Sequence, residues 1–270
     1  MRQSSLASTM RGRRSSEARH PGDTTTAQGK TMSPSNRWRG LVATFLFAGV
    51  LSPCVPASAA VPAAERQTLV NLYNSTNGAN WVSNDNWLTG DPCDNGWYGI
   101  GCDDAGQHVR EIDLPNNGLS GLVPNLSALG NLWVVSLRGN HLSGPIPSLM
   151  GLGNLAYLDL SNNQLSGPVP DAFANGMVQI QLNNNQLSGP IPSLLLVTLG
   201  NLERFRVEHN QLSGTPPRVP IPNNLLHGES GLCPNRLSTP SPTDAAWDAA
   251  VGHTWSDGCH PDQIFYGGFE

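Results

Sequence analysis

The sequence predicts an α/β solenoid. It is a short right-handed horseshoe with a parallel β-sheet on its concave face, an irregular convex side of 3-10 turns, and caps closed by disulfides. Three observations predict it. Asn117, Asn140, Asn163, Asn185 and Asn210 recur at intervals of 23, 23, 22 and 25 residues. Each follows the same leucine spacing, clearest from Leu132 through Leu137 to Asn140. Each is followed by a second conserved-looking half, as in Leu142-Ser-Gly-Pro-Ile-Pro147.

A period in the twenties with this leucine and asparagine spacing is the signature of a leucine-rich repeat solenoid. Within L-x-x-L-x-L-x-x-N the apolar pair points inward and the residue between them points out. In the second repeat the inward pair is Val135 and Leu137, with Ser136 between. That alternation of period two is strand behaviour. No turn buries its leucines alone, so neighbouring turns supply the missing wall. The asparagine follows the strand, where its amide can both donate and accept for backbone groups as the chain bends away. Repeated in every turn, these amides form a ladder.

The second half reads L-S-G-x-I/V-P at Leu142–Pro147, Leu165–Pro170 and Leu187–Pro192. Glycine permits the turn, and proline holds extended chain without a donor. This half is expected to form only a broken second strand and short 3-10 turns. The motif resembles the plant-type leucine-rich repeat class, found in plant receptors and inhibitors and in some secreted bacterial proteins. Five matches cover residues 109–217. The third repeat is a residue short near Asp171–Gly176, and the fourth carries extra residues at Ser193–Gly200. The fifth has Thr215-Pro-Pro217, where the regularity fades.

The remaining chain divides around these repeats. Arg37 and Arg39 precede the apolar run Leu41–Leu51, and small residues follow at Ala57–Ala60. That is the pattern of a secretory signal at 32–60. The run is too short for a permanent span, which needs about 20 residues, so no transmembrane anchor is expected after signal removal. Residues 1–31 are polar and basic, either a long positive region or chain upstream of a start at Met32. From Val61 onward seven arginines face eighteen acids, a net charge of about −11. A nucleic-acid partner would call for the opposite balance.

Residues 61–108 read as an N-terminal cap. Leu69, Val70, Leu72 and Tyr73 suit a short amphipathic helix. Trp81, Trp87 and Trp97 then read as a plug for the open core, the alternative being a sugar-binding platform. The pattern N-W…W…D-P-C…W-Y-G-I-x-C resembles the N-terminal cap of secreted bacterial repeat proteins. Residues 218–261 read as a C-terminal cap containing Trp247 and Trp255. Without Cys54, four cysteines allow three pairings. Cys93–Cys102 with Cys233–Cys259 is favoured, because the solenoid holds the two ends apart. The ending 262–270 resembles a short terminal tag of secreted proteobacterial proteins, either a sorting signal or a frayed tail.

No catalytic, metal or cofactor motif stands out. G-x-S-x-G, H-E-x-x-H, P-loop and G-x-G-x-x-G patterns are missing from the sequence. His108, His141, His209, His227, His253 and His260 are scattered. Asp103-Asp104 and the Asp91/Asp94 group read as solvated loop charges rather than calcium ligands. The site is therefore sought on the outward positions of the five strands. These are Glu111, Asp113 and Pro115; Val134, Ser136 and Arg138; Tyr157, Asp159 and Ser161; Gln179, Gln181 and Asn183; and Arg204, Arg206 and Glu208. Along them the charge is expected to run from acidic, through amides, to basic. Tyr157 and the arginines are the expected anchors.

The reading is a secreted, non-enzymatic, monomeric module that recognises a protein, peptide or oligosaccharide on this face. Its location would be extracellular, cell-surface or periplasmic. Alternatives are a structural or adhesive envelope component, and an inhibitor of a secreted hydrolase. The last rests on resemblance to plant polygalacturonase inhibitors, which have about twice as many repeats.

Overall fold

The computed structural model describes residues 60–257 and Cys259. The basic leader, the apolar signal run, Cys54 and the terminal tag lie outside the described residues. No helix among the described residues is long and apolar enough to cross a membrane.

The N-terminal cap opens with helix α1, Ala63–Ser75. Pro62 precedes it, and no proline or glycine interrupts it. Leu69 and Leu72, one turn apart, are fully buried against the first repeat. The helix ends where the Thr76 hydroxyl donates to the Leu72 carbonyl at 2.6 Å and Asn77 turns left-handed at φ 62°.

Trp81, Trp87 and Trp97 form the plug. Each is at least nine-tenths buried, and neighbouring ring centroids lie 4.9 and 5.0 Å apart. Their indole N–H groups donate to the carbonyls of Thr76, Tyr98 and Thr89. Rings so buried offer no platform to a sugar, so the platform alternative is set aside. Cys93–Cys102 is bonded, with Cα atoms 5.9 Å apart, and ties this loop to β1, Ile100–Cys102.

Strand β1 runs antiparallel to β2, Val109–Asp113. The sheet then continues parallel through β4 (Val134–Ser136), β6 (Tyr157–Asp159), β8 (Gln179–Gln181) and β10 (Arg204–Arg206). The expected solenoid of stacked turns is what forms. Inward Ile112, Val135, Leu158, Ile180 and Phe205 make one buried column. Leu114, Leu137, Leu160, Leu182 and Val207 make the next. Each such side chain contributes about 1.5–3 kcal/mol by leaving water.

The second half of the repeats is more regular than expected. It forms a second ladder of six short strands: β3 (Ser120–Leu122), β5 (His141–Gly144), β7 (Gln164–Gly167), β9 (Gln186–Pro190), β11 (Gln211–Gly214) and β12 (Arg236–Leu237). Pairing survives because the Q/H-L-S-G segment keeps its N–H donors and the prolines come at or after its end. Its glycine turns the chain: Gly144, Gly167, Gly189 and Gly214 all have φ between 72° and 82°. The convex side then closes with consecutive i→i+3 bonds, for example Leu129 to Leu126 and Leu132 to Leu129, the 3-10 geometry expected there.

The asparagine ladder is built as the sequence implies. The Asn163 carbonyl oxygen accepts from the Leu142 N–H of the preceding turn at 3.0 Å. Its amide donates to the carbonyls of Leu137 and Leu160, one from each turn. Asn140, Asn185 and Asn210 repeat this pattern. Asn117, at the edge, instead accepts from and donates to the Ser83 backbone, joining ladder to cap.

The ladder continues past Asn210. Asn235 accepts from the Leu212 N–H at 3.0 Å and donates to the carbonyls of Val207 and Leu232. A sixth turn thus occupies the start of the segment read as C-terminal cap. Beyond it, helix α2, Asp244–Val251, lays the fully buried Trp247 near Phe205. Cys233–Cys259 is bonded, with Cα atoms 5.2 Å apart.

Glu65 of α1 is 4% exposed. Its carboxylate accepts from the Val109 N–H at 2.8 Å and meets His108 Nδ1 at 2.7 Å, docking the helix on β2. The hydrogen bond to Glu65 is the main cause that raises the His108 pKa above its ordinary value; desolvation opposes it. A raised histidine pKa stabilises the fold below the unfolded value of about 6.5, and that gain is lost as pH rises through the folded value. Melting curves from acidic to mildly alkaline pH should show wild type losing stability relative to His108→Gln over that window. Parallel curves would remove the pair from the stability of the cap.

Candidate functional site: the concave sheet face

Register brings the outward side chains into columns. Glu111, Val134, Tyr157, Gln179 and Arg204 are direct neighbours across five strands. Asp113, Ser136, Asp159, Gln181 and Arg206 form a second column two residues further on. Members of both are part-exposed or exposed. A third set follows the strands. In it Arg138 is exposed, while Ser161, Asn183 and Glu208 are buried. All fifteen expected positions therefore belong to this one sheet and its strand ends, but Ser161, Asn183 and Glu208 are covered rather than outward, because the chain is already bending away there.

The electrostatics differ from the expected acidic-to-basic run. Arg204 donates through Nε and Nη2 to Glu229 Oε2 at 3.0 and 2.8 Å. Arg206 donates through Nε to Glu208 Oε1 at 2.6 Å. The basic end is thus neutralised from within. Glu208 follows Arg206 on the same face, and Glu229 comes from the sixth turn, which the repeat pattern did not reveal. The acidic end keeps its charges. Glu111, Asp113 and Asp159 make no ion pair among the described residues. Burial raises the Glu111 pKa, and the Asp113 charge adds to it. Asp159 accepts from the Ser161 N–H and hydroxyl at 3.0 and 2.6 Å, which orients its carboxylate.

One residue of the face was not read from the sequence. Trp133 precedes Val134 and is 42% exposed. Its ring meets Tyr157 edge-on, with centroids 5.1 Å apart and planes at 85°. The available signal was a large aromatic at a variable, non-leucine position of the repeat.

The face can therefore form hydrogen bonds, ion pairs and aromatic contacts. No group of three or more His, Cys, Asp or Glu among the described residues could hold a metal ion. Asp103 accepts from the Gln107 N–H of its own loop, and Asp91 from the N–H groups of Cys93 and Val61. The Asp103 pKa is lowered, first by the Gln107 hydrogen bond.

Stacked turns, a parallel concave sheet and a hydrogen-bonded asparagine ladder define the class, and the chain is a leucine-rich repeat protein. The Leucine Rich Repeat family model matches residues 154–175. No curated protein matches the chain. Among solved structures, the chain is similar to the BIR2 ectodomain from Arabidopsis thaliana, with 30% identity and a TM-score of 0.54. That match covers 65% of this chain and 95% of the other. It is similar to Pollen Receptor Kinase 3, with 36% identity and a TM-score of 0.53, covering 63% and 83%. It is also similar to the Arabidopsis receptor kinase HAESA, solved in complex with the peptide hormone IDA and the co-receptor SERK1. There identity is 28% and the TM-score 0.53, covering 65% of this chain and 30% of that one.

Proposed function

We propose that the chain is an exported, non-catalytic recognition module that binds a protein or peptide segment on its concave face. The observation that carries this is the continuous, part-exposed register of side chains across five parallel strands. Two disulfides support an oxidising, extracellular setting. The similarity to a receptor kinase solved with a peptide hormone supports a peptide or protein ligand over an oligosaccharide. The cap resemblance supports a secreted protein of the bacterial kind.

The test is selection of ligands from a displayed random-peptide library against the full chain. Each selected ligand is then measured on two folded variants. Gln181→Arg adds bulk at the centre of the concave face, and Met150→Arg adds it on the convex side, where Met150 is 74% exposed. Binding should fall at least about tenfold in the first, as expected for obstruction at a buried interface centre, and should hold in the second. Equal affinity for both variants would favour a structural spacer, whose repeats need no free concave face.

A further inference from the structure

We propose that the ligand of this face is a peptide segment carrying arginine or lysine, seated over Ser136 between Asp113 and Asp159 and against the Trp133–Tyr157 pair. This rests on the concave-face reading above and names its chemistry.

Charge makes the first argument. Glu111, Asp113 and Asp159 lie together on the N-terminal half of the face, where Arg138 at its rim and Arg110 make no ion pair among the described residues. Arg204 and Arg206 are committed to Glu229 and Glu208. Arg110, exposed beside Trp133 in register, offsets part of this charge, but three carboxylates outnumber the two free arginines. The half-face is thus net acidic on a chain that is itself acidic beyond Val61. Such a field attracts cationic segments and repels anionic ones.

Geometry makes the second. Asp113, Ser136 and Asp159 are in register on three neighbouring strands. At about 4.8 Å per strand, the two aspartates stand roughly 9–10 Å apart at their backbones. Only the short serine side chain lies between them. A guanidinium above Ser136 has donors on opposite edges of its planar fork, enough to reach both carboxylates. An ammonium reaches one carboxylate and sits less tightly. In the neighbouring column the small Val134 leaves room beside the aromatic pair. The edge-to-face contact of Trp133 and Tyr157 leaves ring surface exposed. Such a face attracts a cation and packs against the methylene stem that carries it. An aromatic pair also suits a neutral sugar ring, but three carboxylates beside it favour a charged donor.

The test uses the full chain with four defined probes: a fluorescent heptapeptide of alternating glycine and arginine, its lysine and glutamate counterparts, and cellohexaose. Affinities are read by anisotropy, or by competition for the sugar, at about 0.15 M ionic strength. The arginine peptide should bind at least about tenfold tighter than the glutamate peptide, with lysine between. Asp113→Asn/Asp159→Asn should weaken it about tenfold, and Trp133→Ala about threefold or more. Asp104→Asn/Asp171→Asn removes the same charge from exposed sites off this face and should change affinity by less than about twofold. Equal loss in that control would show diffuse attraction and overturn the proposal. So would preference for cellohexaose, or no binding by either cationic peptide. A library-selected ligand lost on Gln181→Arg yet indifferent to the aspartate variants would overturn the cationic class alone. Indifference to Gln181→Arg as well would overturn the concave-face reading with it.

Discussion

Asn140→Leu should lower the unfolding free energy by about 3–5 kcal/mol, since each buried backbone group left unpaired costs about 1–3 kcal/mol. Asn140 is 4% exposed. Its carbonyl oxygen accepts from two backbone donors, the N–H groups of Asn117 and Leu119, both at 3.0 Å. Its amide donates to the carbonyls of Leu114 and Leu137 at 2.9 and 2.8 Å. Leucine keeps the branched shape and leaves no cavity, so the loss is chiefly polar. The two donors matter most, because a carbonyl keeps a second lone pair for other contacts. Asn140→Asp keeps the acceptor and loses the donor, and should fall between leucine and wild type. Urea unfolding of the three proteins measures this order. A midpoint unchanged in Asn140→Leu would mean that water already serves those groups and that the ladder is not sealed.

Trp247→Ala should cost about 3–5 kcal/mol, the usual range for emptying a buried large aromatic site. Trp247 is fully buried, packs 6.5 Å from the Phe205 ring and donates its indole N–H to the Pro217 carbonyl at 2.7 Å. It sits where the last turns would otherwise expose their apolar edge, and a solenoid needs that edge covered. Trp247→Phe keeps most of the burial and loses the hydrogen bond, so it should cost only about 1–2 kcal/mol. Thermal melts separate the two. Equal, small losses would show that α2 is an ornament on an end already closed by the sixth turn and its disulfide.

The fold was legible because its determinants are periodic. A leucine, an outward residue and an asparagine at fixed offsets place strand, face and ladder together, and the same offsets gave the columns of the concave site. What escaped is what the period does not carry. The sixth turn hides because Asn235 follows a Cys-Pro pair in proline-rich chain with no L-S-G after it, although its 25-residue interval equals that from Asn185 to Asn210. Its offset, with Leu232 three residues before and Leu237 two after, still matches the earlier turns. Missing that turn also hid Glu229, and with it the neutralisation of Arg204. The Glu65–His108 contact joins residues 43 apart through tertiary docking, which no local pattern encodes. Trp133 escapes a periodic reading because its position holds no fixed residue type: Arg110, Trp133, Ala156, Val178 and Glu203 occupy it in turn. The second ladder exceeds what proline content alone implies, because the prolines fall at or after the pairing segment.

Recognition of a peptide or protein segment on the concave sheet would leave its mark on the strands of that sheet. Titrating a library-selected ligand into the 15N-labelled chain and following amide and indole resonances tests it most directly. The largest shifts should fall on the Trp133 indole and on the amides of β4, β6 and β8. Shifts confined to the convex turns or to the caps, with those strands unmoved, would contradict it.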